Sequence, residues 1–393
     1  MNFVTLKAGK EKAIQNHHHW IFSGAIAHLP EFSDGDILTV KDKKGNALGS
    51  AYFNKRAKII GRMVSFENEA PLETIQQNIQ KAILWRKTLF DKSKTTAFRL
   101  INAEGDSLPG LIADLYRNVL TIQISTLGME KLKPFILNCL KEELKKNGYT
   151  LSSIYEKSNL PARKEEGLQN YEALLEGEAL KEVEILENGN KFLVSIPDGQ
   201  KTGFFLDHRE MRQKIAELSV GKRILNCFSY SGGFSIYAVK AGASQTDSVD
   251  ISEKAVEMAK KNAALNNLDV NKMNFLTADV FEFLRHSDLN YDLVILDPPA
   301  FAKKQKDIIP ACRGYKDINR IAMQKMPKGS ILLTCSCSYH VDEKLFQQVL
   351  FQAAREACRS VKIIGRQIQA KDHPINIFHP ESDYLKSFLL YLD

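Results

Sequence analysis

The sequence predicts an α/β protein, with a doubly wound, mostly parallel sheet in the C-terminal half and two smaller units before it. Three observations predict this. From about residue 190 onward, apolar runs of strand length alternate with amphipathic runs of helix length. Residues 1–72 instead hold short runs that alternate apolar and polar positions between glycine turns. Residues 73–190 mix the two patterns, as an α+β unit would. The expected domains are therefore 1–72, 73–190 and 191–393.

In the first unit, DILTV (36–40), ALGSAYF (47–53) and KIIGRMVSF (58–66) read as strands, with Gly35-Asp36 and Lys44-Gly45-Asn46 as turns. In the second, Ile75, Ile79, Ala82 and Ile83 recur at helical spacing, and the spacing predicts a helix over 73–98. VLTIQIS (119–125) and SSIYEKSN (152–159) read as strands flanking an amphipathic helix over 131–148, which closes on Gly148. In the third, strands are expected at 222–228, 245–252, 274–279, 292–299 and 329–338. Helices are expected at 232–243, 253–267 and 343–358. SVKIIGRQI and YLKSFLLYL then close the sheet as an antiparallel hairpin.

Composition bounds the function classes. Hydrophobic residues at 44% and charged residues at 26% fit a soluble globular chain. No apolar run approaches the roughly eighteen residues of a membrane span, and MNFVTLKAGKEKAIQ has no signal-peptide core. A cytoplasmic protein is expected. The six cysteines, Cys139, Cys227, Cys312, Cys335, Cys337 and Cys358, are scattered and contain no CxxC pair, so neither a disulfide framework nor a zinc site is expected. His17, His18 and His19 read as a polar lead into a turn, because a metal would need further ligands that the sequence does not place. The net charge of +7 permits a polyanionic partner. Residues 1–66 hold ten Lys or Arg against five Asp or Glu, which suits phosphate contact.

Open α/β sheets bind ligands beyond the carboxyl ends of their strands. There the sequence places NCFSYSGG, a turn of small residues where Gly232 and Gly233 let the backbone approach a ligand. Asp250, Asp279 and Asp297 end the next three strands. Singly, each is a plausible helix cap. Together, one acid for ribose hydroxyls and one for an adenine amino group fit S-adenosylmethionine better than NAD. The chain has no GxGxxG, which a diphosphate wants. In DPP (297–299) two prolines fix the direction of the carbonyl before Pro299. With Asp297 it can hold an amine-bearing base, and Phe301 can stack on that base.

LLTCSCSYH (332–340) places two thiols at the next strand end. Nitrogen methylation needs no protein nucleophile, because the nitrogen brings its own lone pair. Carbon 5 of cytosine needs a thiolate at carbon 6 first, which makes it nucleophilic. Such a cysteine must sit beside the methyl donor and be partly ionised. Cys335 and Cys337 are both candidates, and they share a face if the strand continues.

Taken together, HWIFSGAI (19–26), GDILTV (35–40), AEGDSLPGLIAD (103–114), GQKTGFFLDHREMR (199–212), LNCFSYSGGFSIYA (225–238), LDPPAFAK (296–303) and TCSCS (334–338) resemble one family. It is that of the PUA-domain-containing class I methyltransferases of large-subunit rRNA, which make 5-methylcytosine. The resemblance spans essentially the whole chain. It implies a Rossmann-like methyltransferase sheet, an N-terminal PUA-like β-barrel and a central α+β domain. It implies S-adenosylmethionine held by Phe228, Ser229, Tyr230, Gly232, Gly233, Asp250 and Asp279, with Asp297 between donor and base. It implies Cys337 as nucleophile, Asp297 as hydrogen-bond or proton source near cytosine N3, and Pro298, Pro299 and Phe301 beside the base. Lys201 and Arg209 would line the cofactor or RNA entrance. The implied partner is large-subunit rRNA, with a homodimer as the family's tendency. His208 departs from the family's usual Gln, and Cys335 is an extra thiol that could aid product release or simply pack. The rival readings are guanine N7 methylation on the same architecture and a non-catalytic RNA-binding assembly factor.

Overall fold

The computed structural model describes residues 3–67 and 69–393. Its contacts divide the chain into two compact units. The first comprises residues 1–189, 194–206 and 371–382. The second comprises 190–193, 207–370 and 383–393. The stretches 1–72 and 73–189 thus fall in one unit, and the strands Glu182–Glu187 and Asn190–Ser195 mark the changeover.

The first unit holds two sheets. A six-stranded sheet runs in the order Trp20–Phe22, Ile59–Phe66, Ala47–Phe53, Ile37–Lys41, Phe3–Leu6, Ile26–His28. Its inward positions, Val4, Leu6, Val40, Ala51, Phe53 and Met63, are fully buried. A five-stranded sheet runs Tyr171–Gly177, Ser153–Ser158, Val119–Ile124, Leu111–Tyr116, Ala97–Asn102. The helices Pro71–Leu89 and Leu127–Lys146 bury Ile75, Ile79 and Ile83, and Ile136, Leu140 and Leu144, in one core with that sheet. The helix expected over 73–98 stops at Leu89, and Ala97–Asn102 is a strand. The break is local. The Asp91 carboxylate accepts from Ser93 N at 2.9 Å, and Phe90 turns to stack on Phe98 at 5.3 Å.

The second unit is built on seven strands: β1 (Arg223–Cys227), β2 (Gln245–Asp250), β3 (Met273–Thr277), β4 (Leu293–Leu296), β5 (Ile331–Ser336), β6 (Val361–Gln367) and β7 (Lys386–Leu392). Its helices are α1 (Arg209–Glu217), α2 (Gly233–Lys240), α3 (Glu253–Leu265), α4 (Val280–His286), α5 (Ile308–Lys325) and α6 (Glu343–Glu356). The sheet order is β3-β2-β1-β4-β5-β7-β6. The first five strands are parallel, and β7 pairs antiparallel with both β5 and β6, as the expected hairpin. The chain travels outward from β1 to β3, then crosses back to β4, so the topological switch lies between β1 and β4.

Central parallel strands are covered on both faces, which explains their unbroken apolar runs. Every residue of β4 and β5 is buried. Alternate side chains enter two cores: Leu225, Val294, Leu296 and Leu332 join Tyr315, Ile318 and Phe346, whereas Ile224, Ile295, Leu333 and Cys335 join Met211, Ile215 and Phe234. Helix starts are set by short polar caps at the strand ends. Ser252 accepts from Ala255 N, Asp279 from Glu282 N and Asp342 from Leu345 N. Each cap stabilises its helix by about 1 kcal/mol. Helix α5 has no counterpart in the sequence reading. Pro310 looks like a breaker, but it sits in the first turn, where its missing N–H costs nothing.

Candidate functional site

The carboxyl ends of β3, β2, β1, β4 and β5 lie side by side in that order. They carry Asp279, Asp250, the turn Phe228–Gly233, Asp297 and Cys337 respectively. The sheet therefore brings to one edge the groups that the sequence reading singled out in this unit.

The turn after β1 is tightly constrained. Phe228 and Tyr230 adopt left-handed backbone angles, with φ of 58° and 46°, and Gly232 has φ 79°. A Cβ on Gly232 would meet Ala259 Cβ at 3.0 Å, so α3 packs directly on this glycine. Asp250 holds the turn in shape: its carboxylate accepts from Tyr230 N and from Ser252 N, each at 2.9 Å. Below it, Asn226 Nδ2 donates to Ser235 Oγ at 3.0 Å, and Ser235 Oγ meets Ser248 Oγ at 2.7 Å. Ser229 Oγ is buried with no hydrogen-bond partner among the described residues. A buried hydroxyl without a partner is costly, so a ligand polar group would satisfy it. That hydroxyl, the narrow turn and the Asp250 carboxylate fit an adenosine-type methyl donor. Asp279 is exposed and spends one oxygen capping α4, as its helix-cap reading allowed. Arg209 is buried at the start of α1. Lys201 is in the segment grouped with the first unit, with its ammonium 4.6 Å from the Phe205 ring.

On the β4 side, Asp297 Oδ2 lies 3.2 Å from Nε2 of His208, the residue that departs from the family's Gln. His208 is buried, and its Nδ1 has no partner among the described residues. With its second nitrogen buried without an acceptor, the ring carries a proton on Nε2 and donates it to Asp297. Cys335 completes this cluster: ligand-capable atoms of His208, Asp297 and Cys335 lie within 4.8 Å of one another.

The two thiols part company. Strand β5 ends at Ser336, so Cys337 leaves the pleat, and the shared face expected for a continuing strand does not form. Cys335 is fully buried against Leu333 and Leu389. Burial pushes its thiol well above the usual range, and the charge of Asp297 adds to that. Cys337 is half-buried, and its thiol points to the Pro298 carbonyl at 3.7 Å, the carbonyl that the DPP turn was expected to aim. The serines beside it act as clamps. Ser338 Oγ accepts from Ala302 N at 3.0 Å and pairs with Tyr315 Oη at 2.9 Å. Lys386 Nζ donates to the Ser338 carbonyl at 2.8 Å. Phe301 packs on Tyr315 at 4.6 Å and on Phe281 at 6.0 Å, so part of its ring is already covered.

Sequence reasoning missed Ser338, Tyr315, Lys386 and the partner of His208. The signal for Lys386 was present: one lysine stands inside the apolar run YLKSFLLYL. In the first unit, His18 does find neighbours, with Nε2 at 3.3 Å from Glu381 and its ring 4.6 Å from that of His379. Trp20 N–H donates to His18 Nδ1 at 3.2 Å, which puts the ring proton on Nε2. That tautomer has no lone pair at Nε2 to offer a metal.

The family model described as S-adenosylmethionine-dependent methyltransferase matches residues 160–380, and a PUA-like domain model matches residues 4–66. A ribosomal RNA large subunit methyltransferase I from Aeromonas salmonicida is 39% identical, covering 99% of this chain and 98% of its own. The protein of that name from Photobacterium profundum is 40% identical, covering 99% of each. Among solved structures, a Streptococcus mutans protein described as an S-adenosylmethionine-dependent methyltransferase superposes with a TM-score of 0.85 at 24% identity, over 99% of this chain and 100% of its own. A methyltransferase complexed with S-adenosylhomocysteine superposes with a TM-score of 0.86 at the same identity, over the same shares. These two likenesses speak for the fold alone.

Proposed function

The chain belongs to the S-adenosylmethionine-dependent methyltransferases, and from that premise we propose that it methylates carbon 5 of a cytosine in large-subunit ribosomal RNA. The observation that carries the choice of atom is the half-buried Cys337 thiol, clamped beside the Asp297-Pro298 turn. Methylation of a ring nitrogen would need no thiol there.

The turn Phe228–Gly233, with Asp250 and Asp279, binds the donor, Arg209 lines its approach, and Lys201 is taken as an RNA contact. When bound, S-adenosylmethionine supplies an electrophilic methyl group on a sulfonium. Cys337 gives up its proton, which the Asp297 carboxylate takes, and its thiolate adds to carbon 6 of the cytosine. Asp297 gives a proton or hydrogen bond to N3 as charge builds there, and His208 holds its carboxylate in place. Carbon 5 then takes the methyl group. A base removes the carbon-5 proton, the 5,6 double bond re-forms and Cys337 leaves as thiolate, returning the N3 proton to Asp297. Pro298, Pro299 and Phe301 flank the flipped base. Cys335, with its thiol held protonated, packs and does not attack.

The basic stretch 1–66 supplies phosphate contacts. We take 1–72, 73–190 and 191–393 as the RNA-binding, central and catalytic parts. We propose a cytoplasmic location and a homodimer, the family's tendency, which sedimentation tests. No helix among the described residues is long and apolar enough to cross a membrane.

The test is nucleoside mass analysis of unmodified large-subunit rRNA after incubation with enzyme and donor. 5-Methylcytosine is expected, lost in Cys337→Ser and retained in Cys335→Ser. RNA carrying 5-fluorocytosine should trap a protein–RNA adduct, because the carbon-5 fluorine cannot leave as a proton. 7-Methylguanosine as the product would replace this reading with guanine N7 methylation.

A further inference from the structure

Lys386 opens β7 and lies opposite Ser336 of β5 in the antiparallel register. It is 5% exposed, unusual for a lysine in the middle of an apolar run. Its ammonium donates to the carbonyl of Ser338 at 2.8 Å and to that of Tyr384 at 2.7 Å. No carboxylate among the described residues is in ion-pair contact with it. Two neutral carbonyls satisfy two of its three N–H donors but give it no contacting counter-charge, which a buried charge ordinarily finds. The turn it grips is the turn that presents Cys337. Ser338 is the next residue, so holding its carbonyl anchors the chain one residue beyond the thiol.

We infer that Lys386 is a positioning residue whose buried ammonium both clamps the Cys337 turn and offsets the negative charge of the Cys337 thiolate. The inference rests on the reading of Cys337 as nucleophile. Burial pulls the Lys386 ammonium toward the neutral form, and the charges of Asp383, Cys337 and Asp342 oppose that pull, in that order. Asp383 precedes β7 and Asp342 caps α6, both beyond contact. The other groups around the turn are Asp297, whose charge disfavours a second anion nearby, its partner His208, and Cys335 and Tyr315, whose ionisation burial pushes up. A lysine cation held at the next residue is what a thiolate at Cys337 requires. The arrangement also explains the serine after Cys337, since Ser338 offers its side chain to Ala302 and Tyr315 and its carbonyl to Lys386.

The test uses the full chain and reads the thiol directly. Iodoacetamide alkylation of Cys337 is followed by peptide mass spectrometry from pH 6 to 9 in the parent protein and in Lys386→Met, Lys386→Gln and Lys386→Arg. Removing the cation should slow alkylation at pH 7 by roughly tenfold, the effect of about one pKa unit on thiolate population. Arg should restore most of the rate. kcat for methyl transfer should fall in parallel, with KM for RNA unchanged. Gln keeps a donor for one carbonyl and provides a folded variant if Met does not. A folded Lys386→Gln protein that alkylates at the parent rate overturns the inference. If alkylation slows as expected but Cys337→Ser still makes 5-methylcytosine, the thiol is tuned but unused, and the nucleophile reading fails instead.

Discussion

Ser338→Ala isolates what the clamp on the nucleophile turn contributes. Ser338 is fully buried, its Oγ accepting from Ala302 N at 3.0 Å and pairing with Tyr315 Oη at 2.9 Å. Alanine leaves the Ala302 amide buried without an acceptor, at a cost of about 1–3 kcal/mol. Tyr315 loses the partner of its hydroxyl as well. Losing that bond costs about 0.5–1.5 kcal/mol, and the sum is about 1.5–4.5 kcal/mol. Tyr315→Phe alone should cost about 1 kcal/mol, and the double mutant about 1 kcal/mol less than the two singles added, because they share a bond. Urea unfolding gives the totals. Native-state hydrogen exchange at the Ala302 amide gives the local part, which matters in a chain of two units where a single transition is not assured. Methyl transfer should fall at least tenfold, since a released turn no longer aims Cys337. A Ser338→Ala protein within about 0.5 kcal/mol of the parent, or a cycle with no coupling, refutes the reasoning.

Three further outcomes follow from the geometry. His19 is buried, and burial with the neighbouring His379, His18 and His17 lowers its pKa from 6.5 to about 3. The unfolded chain therefore binds a proton that the folded one refuses, so its penalty is absent above about pH 6.5 and grows as pH falls toward 3. The loss by pH 5 is about 2 kcal/mol, and His19→Phe should flatten that slope in denaturant titrations of the first unit. In Gly232→Ala, φ of 79° and the 3.0 Å approach to Ala259 force strain into the donor turn. The cost of about 1–2 kcal/mol should weaken S-adenosylmethionine binding roughly 5- to 30-fold by calorimetry, and a change under twofold would contradict it. Asp250→Asn sets an amide NH₂ against Tyr230 N or Ser252 N, and the donor Kd should rise about tenfold or more.

The sheet and the acids at its strand ends were readable because parallel strands announce themselves as unbroken apolar runs and the acids follow at their ends. That logic put Asp297 and both Cys335 and Cys337 at strand ends, and the choice of Cys337 came from the family resemblance. His208 did not, since nothing in DHR says that its ring reaches a residue 89 positions later. The separation of Cys335 from Cys337 was hidden for a different reason: it depends on where β5 stops, and strand ends are set by hydrogen bonds from Ala302, Tyr315 and Lys386, far off in the chain. The overrun of the first long helix past Leu89 came from carrying the spacing of Ile75, Ile79, Ala82 and Ile83 forward, when the Asp91 turn redirects Phe90 onto a strand. Periodicity reports which side of an element is buried. It does not report which distant partner buries it.

The position of β7 between β5 and β6 has a consequence for assembly. Five parallel strands can pair before it arrives, but β5 then remains an open apolar edge, prone to recruiting a foreign strand. The event that seals this edge also delivers the residue opposite Ser336, and with it the grip on the nucleophile turn. Protection from aggregation and completion of the reactive centre are thus one step. A half-folded chain carries its thiol on an unheld turn, and only the closed sheet carries one that is aimed.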